Sequence, residues 1–253
     1  MAPLLLIISI INLRAVVLSL TVGTSFFALN CQAADADAES VSGSAVVREM
    51  NLVRQNPALY ATFIEEQRSH FQGNLLVLAG RVPFRTKEGP RALDEAIRFL
   101  RGASPQAPLS FSAGMSRAAA DHCAEQAGGG MSHRGRGGSH TGDRINRYGM
   151  WSGTWGENLS CGRRGARETV IALIVDDGLR SRKHRHNIFN PSFNYAGAAM
   201  GSHAQYRTIC SIEFAAGYVE AGQVAQRTDN SRVVRTQLER PQPRETLFAT
   251  NGL

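Results

Sequence analysis

The sequence predicts an α/β domain, and two features of the chain support this prediction. In the N-terminal half apolar residues recur at helical spacing, so that Val46, Val47, Met50 and Val53 would share one helix face. The C-terminal half contains apolar runs typical of strands, such as YRTICSIEF. The chain has 253 residues, of which 43% are hydrophobic and 19% charged. It is therefore long enough for one sizeable core, but not for two.

Helices are predicted where this spacing persists and a proline or glycine closes the stretch. Pro57 starts a second helix, since proline fits the first turn of a helix but not its interior. Three glycines at 128–130 and Gly178 each end a later helix. The predicted helices are 44–71 with a break at 56–57, 90–102, 112–127 and 166–178, and an irregular or strand-like insert occupies 73–89.

Three strands are predicted in the C-terminal half, at 155–161, 195–201 and 206–215. The first of them would hold Glu157 more rigidly than a loop could. Beyond Glu220 the chain becomes polar and Arg-rich and loses its periodicity. That composition predicts a disordered tail over 221–253.

The first 33 residues have the pattern of a signal peptide. An uncharged apolar run from Ala15 to Leu29 follows Arg14 and ends in small residues near Ala33. We therefore predict a signal peptide at 1–33, a flexible lead-in at 34–43 and a secreted protein. An uncleaved leader that anchors the chain to a membrane and a periplasmic location are the alternatives.

Three cysteines remain once the leader is removed. An oxidising compartment permits a disulfide, and three cysteines leave one unpaired. We expect Cys161 to pair with Cys210, and Cys123 to be a small buried hydrophobic residue. No CxxC or Cys/His finger spacing is present, which excludes a structural zinc site of that kind.

The basic charge of the chain is concentrated near its polar motifs. From 131 to 186 there are 11 Arg or Lys and 5 Asp or Glu residues, a surplus of 11 − 5 = +6. Such a surface attracts an anionic ligand or an anionic envelope, or is simply a solvated basic face. No nucleic-acid partner is predicted, because no such motif occurs and aromatic residues do not alternate with the arginines.

Four polar positions between 131 and 191 stand out as a possible site. They are His133, Glu157, the acidic pair Asp176 and Asp177, and His184. Two imidazoles with two carboxylates are typical ligands of a metal such as zinc. Their spacing matches no known metal motif, and hydrogen-bonded His–carboxylate pairs without a metal are the other interpretation.

The words around these positions resemble one family. Four short motifs occur in the order seen in the CAP superfamily. They are SH at 132–133, DRI with its Arg144 eleven residues after His133, GENL at 156–159 and HRHNIFNP at 184–191. This superfamily is also called SCP or sperm-coating-protein-like, and it includes the cysteine-rich secretory, antigen 5 and pathogenesis-related 1 proteins. The chain resembles its bacterial and protist-type branch. The resemblance implies a CAP domain at 44–220 and a three-layer α-β-α sandwich around a cleft.

The resemblance also implies which residues line that cleft. His133, Glu157 and His184 match three members of the family's His/Glu tetrad. Asp176 occupies the fourth place, where glutamate is usual, whereas periodicity alone does not choose between Asp176 and Asp177. The four residues would hold zinc or another divalent cation. The imidazoles would need acceptors on their second nitrogens, for which Glu157 and Asp176 are the candidates.

Two function classes follow. The first is an extracellular binding module, with the cation cleft and a groove for a lipid-like or other small ligand, as the resemblance implies. The second is a metal-assisted hydrolase in which Glu157 activates water. No Ser or Cys nucleophile with a supporting base is visible, which argues against acyl-enzyme chemistry.

Overall fold

Short helices alternate with strands along residues 42–223, the part of the chain that the computed structural model describes. The predicted signal peptide, and all but the inner ends of the predicted lead-in and tail, lie outside these residues. The helices are α1 Gly43–Gln55, α2 Pro57–Glu65, α3 Pro90–Gly102, α4 Ala113–Gln126, α5 Thr141–Ile145, α6 Ala166–Val175 and α7 Lys183–Phe189. The strands are β1 Phe71–Gln72, β2 Leu75–Leu76, β3 Phe84–Arg85, β4 Ser110–Phe111, β5 Gly149–Cys161, β6 Tyr195–His203 and β7 Arg207–Glu220.

Local sequence accounts for where the main helices begin. The side-chain oxygens of Ser42 and Ser112 each accept a hydrogen bond from the backbone N–H three residues further on, and so cap α1 and α4. Pro57 and Pro90 stand at the starts of α2 and α3, where a missing N–H costs no helical hydrogen bond.

The long strands form one sheet in the order β4-β6-β7-β5. The short β4 runs parallel to β6, and the other neighbours are antiparallel. Strand β5 therefore lies at one edge of the sheet. It pairs with β7 so that Glu157 stands directly opposite Glu213.

Helices cover both faces of this sheet. On one face α4 packs closely over β6, where a Cβ on Gly197 would lie 2.3 Å from the backbone nitrogen of Ser116. On the other face Ile212 and Phe214 of β7 join the main core, which α1, α2, α3 and α6 complete. The predicted α/β three-layer α-β-α sandwich is confirmed.

Several element bounds differ from those predicted. The α-helix predicted to reach residue 71 ends at Glu65, and a 3-10 helix follows it at Glu66–His70. Strand β5 starts at Gly149, six residues before the predicted start at 155. Within residues 42–223, no helix is both long and apolar enough to span a membrane.

The cysteines Cys123, Cys161 and Cys210 are free thiols, which corrects the predicted Cys161–Cys210 disulfide. In the register of β5 and β7, Cys161 stands opposite Ile209 while Cys210 stands opposite Ser160. Opposed residues project from the same face, and successive residues alternate between faces. Cys161 and Cys210 therefore project from opposite faces of the sheet and cannot meet the geometry of a disulfide. Cys123 is buried, as predicted.

Candidate ligand-binding cleft

The four predicted site residues form two hydrogen-bonded His–carboxylate pairs. His133, on the loop after α4, places its Nδ1 3.3 Å from Oε1 of Glu157 on β5. His184, in the first turn of α7, places its Nδ1 2.8 Å from Oδ1 of Asp176. The acceptors expected for the two imidazoles are thus the ones observed, and each pair leaves the Nε2 atom of its histidine to other partners.

The Asp176–His184 pair depends on a left-handed turn at the end of α6. Asp176 adopts φ 51°, a conformation that aspartate tolerates better than most residues. Its carboxylate accepts hydrogen bonds from both the backbone nitrogen and the ring of His184, the former at 3.0 Å. The neighbouring Asp177 instead accepts from the backbone nitrogens of Lys87 and Glu88. The structure therefore selects Asp176 as the acid that supports the histidine.

The His133–Glu157 pair joins an exposed ring to a buried acid. The His133 side chain is 62% exposed, while that of Glu157 is 3% exposed. The hydrogen bond to Glu157 raises the pKa of His133 above its ordinary value. His133 can therefore present either a lone pair or a positively charged N–H at the surface.

Glu157 is held by more than one partner. Thr141 Oγ1 donates to Glu157 Oε2 at 2.6 Å, the guanidinium of Arg144 donates to the same oxygen, and His122 Nε2 lies 3.3 Å from Oε1. Burial alone would raise the pKa of Glu157. The contacts with His122, His133 and Thr141 outweigh that effect, and with the charge of Arg144 they lower the pKa to about 2.

Sequence reasoning missed Glu213, the buried carboxyl directly opposite Glu157. It is fully buried, and Oε1 lies 3.7 Å from an Arg144 nitrogen and 3.3 Å from Ser211 Oγ. Burial, together with the negative charge of Glu157, raises its pKa well above the ordinary value. A glutamate inside the apolar run YRTICSIEF is the signal that could have identified it.

Two further residues of this network were not predicted as site residues. His122 is fully buried on α4, with Nε2 2.9 Å from the carbonyl oxygen of Ser132. Arg144 is fully buried and also donates to the carbonyls of His133 and Ser139, so it holds the loop to Glu157. The DRI motif marks the position of Arg144 in the sequence but does not indicate this structural role.

A small cavity opens beside the His133–Glu157 pair. Its volume is about 220 Å³, and its walls are His133, Arg134, His140, Thr141, Trp155 and Glu157. The lining comes from the loop after α4, the start of α5 and β5. The Asp176–His184 pair does not line it.

The donor chemistry of the two pairs fits a cation held by imidazole. Both rings use Nδ1 for a carboxylate, the arrangement by which proteins orient metal-binding histidines. Within residues 42–223, no three or more His, Cys, Asp or Glu side chains are gathered into a metal-binding group. The four-ligand metal site predicted from His133, Glu157, Asp176 and His184 stays a prediction.

The fold and the site together define an α-β-α sandwich with two His–carboxylate pairs, one of which includes Glu157 on the edge strand β5. Residues 95–214 match the family model described as CAP: Cysteine-rich secretory protein family. Over residues 95–214 the chain is thus similar to the CAP family, in agreement with the resemblance of its sequence motifs.

Comparisons with other proteins add two solved structures. One is an outer surface protein from Borrelia burgdorferi, with a TM-score of 0.36, 17% identity, and coverage of 44% of this chain and 78% of that chain. The other is an extracellular protein containing a SCP domain from Bacillus anthracis str. Ames, with a TM-score of 0.35, 18% identity, and coverage of 49% of this chain and 39% of that chain. No curated protein gives a significant match.

Proposed function

We propose that the chain is a secreted CAP-domain binding module whose cleft takes a divalent cation, with zinc the first candidate. One observation carries the proposal, namely that His133 and His184 each have Nδ1 bound to a buried carboxylate. Such a carboxylate fixes the ring orientation and makes the free Nε2 a better metal ligand.

The contacts of the acids suggest how the four residues divide the work. Both carboxylate oxygens of Glu157 already take part in hydrogen bonds. Asp176 forms two hydrogen bonds with His184, one to its backbone nitrogen and one to its ring. His133 and His184 would therefore hold the cation, while Glu157 and Asp176 orient them. The bound cation would supply a positive charge able to attract an anionic group of a ligand.

The hydrolase alternative is less well supported by the same contacts. It needs Glu157 to take a proton from water, which requires a pKa near the working pH. The pKa of Glu157 is lowered to about 2, since its hydrogen bonds outweigh the opposing effect of burial. Such a carboxylate is a weak base, so we favour binding over catalysis.

Secretion and the type of ligand complete the proposal. The apolar leader at 1–33 supports export, and the basic segment 131–186 supports contact with an anionic envelope surface. A lipid-like or other small ligand remains the proposed occupant of the groove.

Calorimetric titration of the purified chain with Zn²⁺ tests the cation site. We expect His133→Ala or His184→Ala to abolish binding, and Glu157→Gln or Asp176→Asn to weaken it by about 10–100-fold. His186→Ala is the matched control, because His186 is a histidine on the same helix as His184 that takes no part in either pair. Zinc binding by the His133→Ala/His184→Ala double variant at wild-type affinity would show that the pairs are purely structural.

A further inference from the structure

We propose that the 220 Å³ cavity beside His133 binds a small aromatic carboxylate. The inference rests on the proposed binding function and adds the ligand class. It concerns the cavity itself, which His184 does not line, so it can be tested without any cation.

The cationic side of the cavity is formed by the loop after α4. Arg134 lines the cavity and uses one terminal nitrogen, Nη1, for the carbonyl of Gly138, at 3.0 Å. Within residues 42–223 no hydrogen bond from its other guanidinium nitrogens is found, which leaves donors for a carboxylate. His133 lines the same cavity, and its Nδ1 is occupied by Glu157, so Nε2 is the ring atom left to face a ligand.

The acid at the base of the cavity does not repel such a ligand strongly. Glu157 is paired with the fully buried Arg144, so the two charges compensate each other. The carboxylate of Glu157 also forms hydrogen bonds with the hydroxyl of Thr141 and the ring of His133. The charge left facing the cavity is that of Arg134.

Another part of the cavity lining is aromatic. Trp155 and His140 both line the cavity, and their rings lie 6.2 Å apart at an angle of 52°, so this part of the lining offers aromatic surface to the ring of a ligand. Gly142 makes room for the indole, because a Cβ there would lie 2.8 Å from Trp155 Nε1. A small aromatic carboxylate could pack its ring against Trp155 and place its carboxylate against Arg134.

The volume limits the size of the ligand. Sites for drug-sized molecules enclose about 300–1,000 Å³. A cavity of about 220 Å³ suits a single ring with one short anionic group.

Fluorescence offers a direct assay, because the chain has two tryptophans, Trp151 and Trp155. Trp151→Phe leaves Trp155 as the reporter and removes an indole nitrogen that has no hydrogen-bond partner within residues 42–223. The variant, freed of metal on a chelating resin, is titrated with benzoate, with acetate and with benzylammonium. We expect saturable quenching by benzoate with a Kd on the order of 1 mM, and at least about tenfold weaker binding of the other two.

Two arginines on the same loop provide the matched comparison. In the Trp151→Phe background, Arg134→Ala should weaken benzoate binding by at least about tenfold. Arg136→Ala should leave it unchanged, since Arg136 does not line the cavity. The proposal is overturned by non-saturable benzoate quenching, by equal binding of benzylammonium, or by an Arg134→Ala variant that binds like Arg136→Ala. A zinc titration that fails while benzoate binds would refute the cation site alone.

Discussion

Replacing Arg144 with methionine should destabilise the domain more than any change of an exposed arginine. Arg144 is fully buried and bonds to Glu157, and it approaches Glu213 at 3.7 Å. Methionine keeps much of the apolar volume but removes the charge and the donors. The carboxylate of Glu157 would then stay buried without its cation.

The size of the effect follows from this geometry. Removing one partner of a buried ion pair costs about 3–5 kcal/mol, because the other charge stays desolvated. For a domain of this size each kcal/mol lowers Tm by about 2–4 °C, so we expect a fall of about 6–20 °C. The matched control is Arg147→Met. The ion pair of Arg147 with Asp121 has side chains 42% and 35% exposed, and should contribute about 1 kcal/mol or less.

Urea unfolding followed by circular dichroism measures both variants. A double-mutant cycle with Glu157→Gln isolates the pair, and we expect Arg144→Met with Glu157→Gln to cost about 0.5–3 kcal/mol less than the sum of the single changes. If Arg144→Met costs no more than Arg147→Met, or if the single costs simply add, the buried pair does not organise this part of the fold.

Three further predictions concern pH, thiols and export. Because burial raises the folded-state pKa of Glu213 above that of the unfolded chain, its stabilising effect is complete below about pH 4.5 and is lost as pH rises toward the folded value. Glu213→Gln should therefore reduce the loss of unfolding free energy between about pH 5 and 8, and an unchanged slope in urea titrations contradicts this. In the native protein iodoacetamide should modify the half-buried Cys161 before the buried Cys210, whereas protection of both until reduction would indicate a disulfide after all. Mass spectrometry of secreted material should show a chain that starts near Ala34, and an intact Met1 refutes the cleaved leader.

The site was only partly predictable from sequence. The histidine and acid positions were visible in short words, since residues such as those of GENL and HRHNIFNP are contiguous. Periodicity could not choose between Asp176 and Asp177, because both lie within one turn of the apolar Leu173. In the structure Asp176 itself adopts a left-handed backbone conformation, and its carboxylate accepts a hydrogen bond from the backbone of His184 on α7. The carboxylate of Asp177 instead accepts a hydrogen bond from the backbone nitrogen of Lys87.

The order of the helices, the strands of the C-terminal half and the CAP-like motifs could be predicted from the sequence, since each depends on residues close together in the chain. Which side chains face each other across the sheet depends on how distant strands pair. The pairing of β5 with β7 sets Glu213 against Glu157 and turns Cys161 away from Cys210. A shift of one residue in that register would reverse both results, because side chains alternate between the faces of a sheet. Registers between distant strands are set by burial of the whole core, so local patterns could not reveal them.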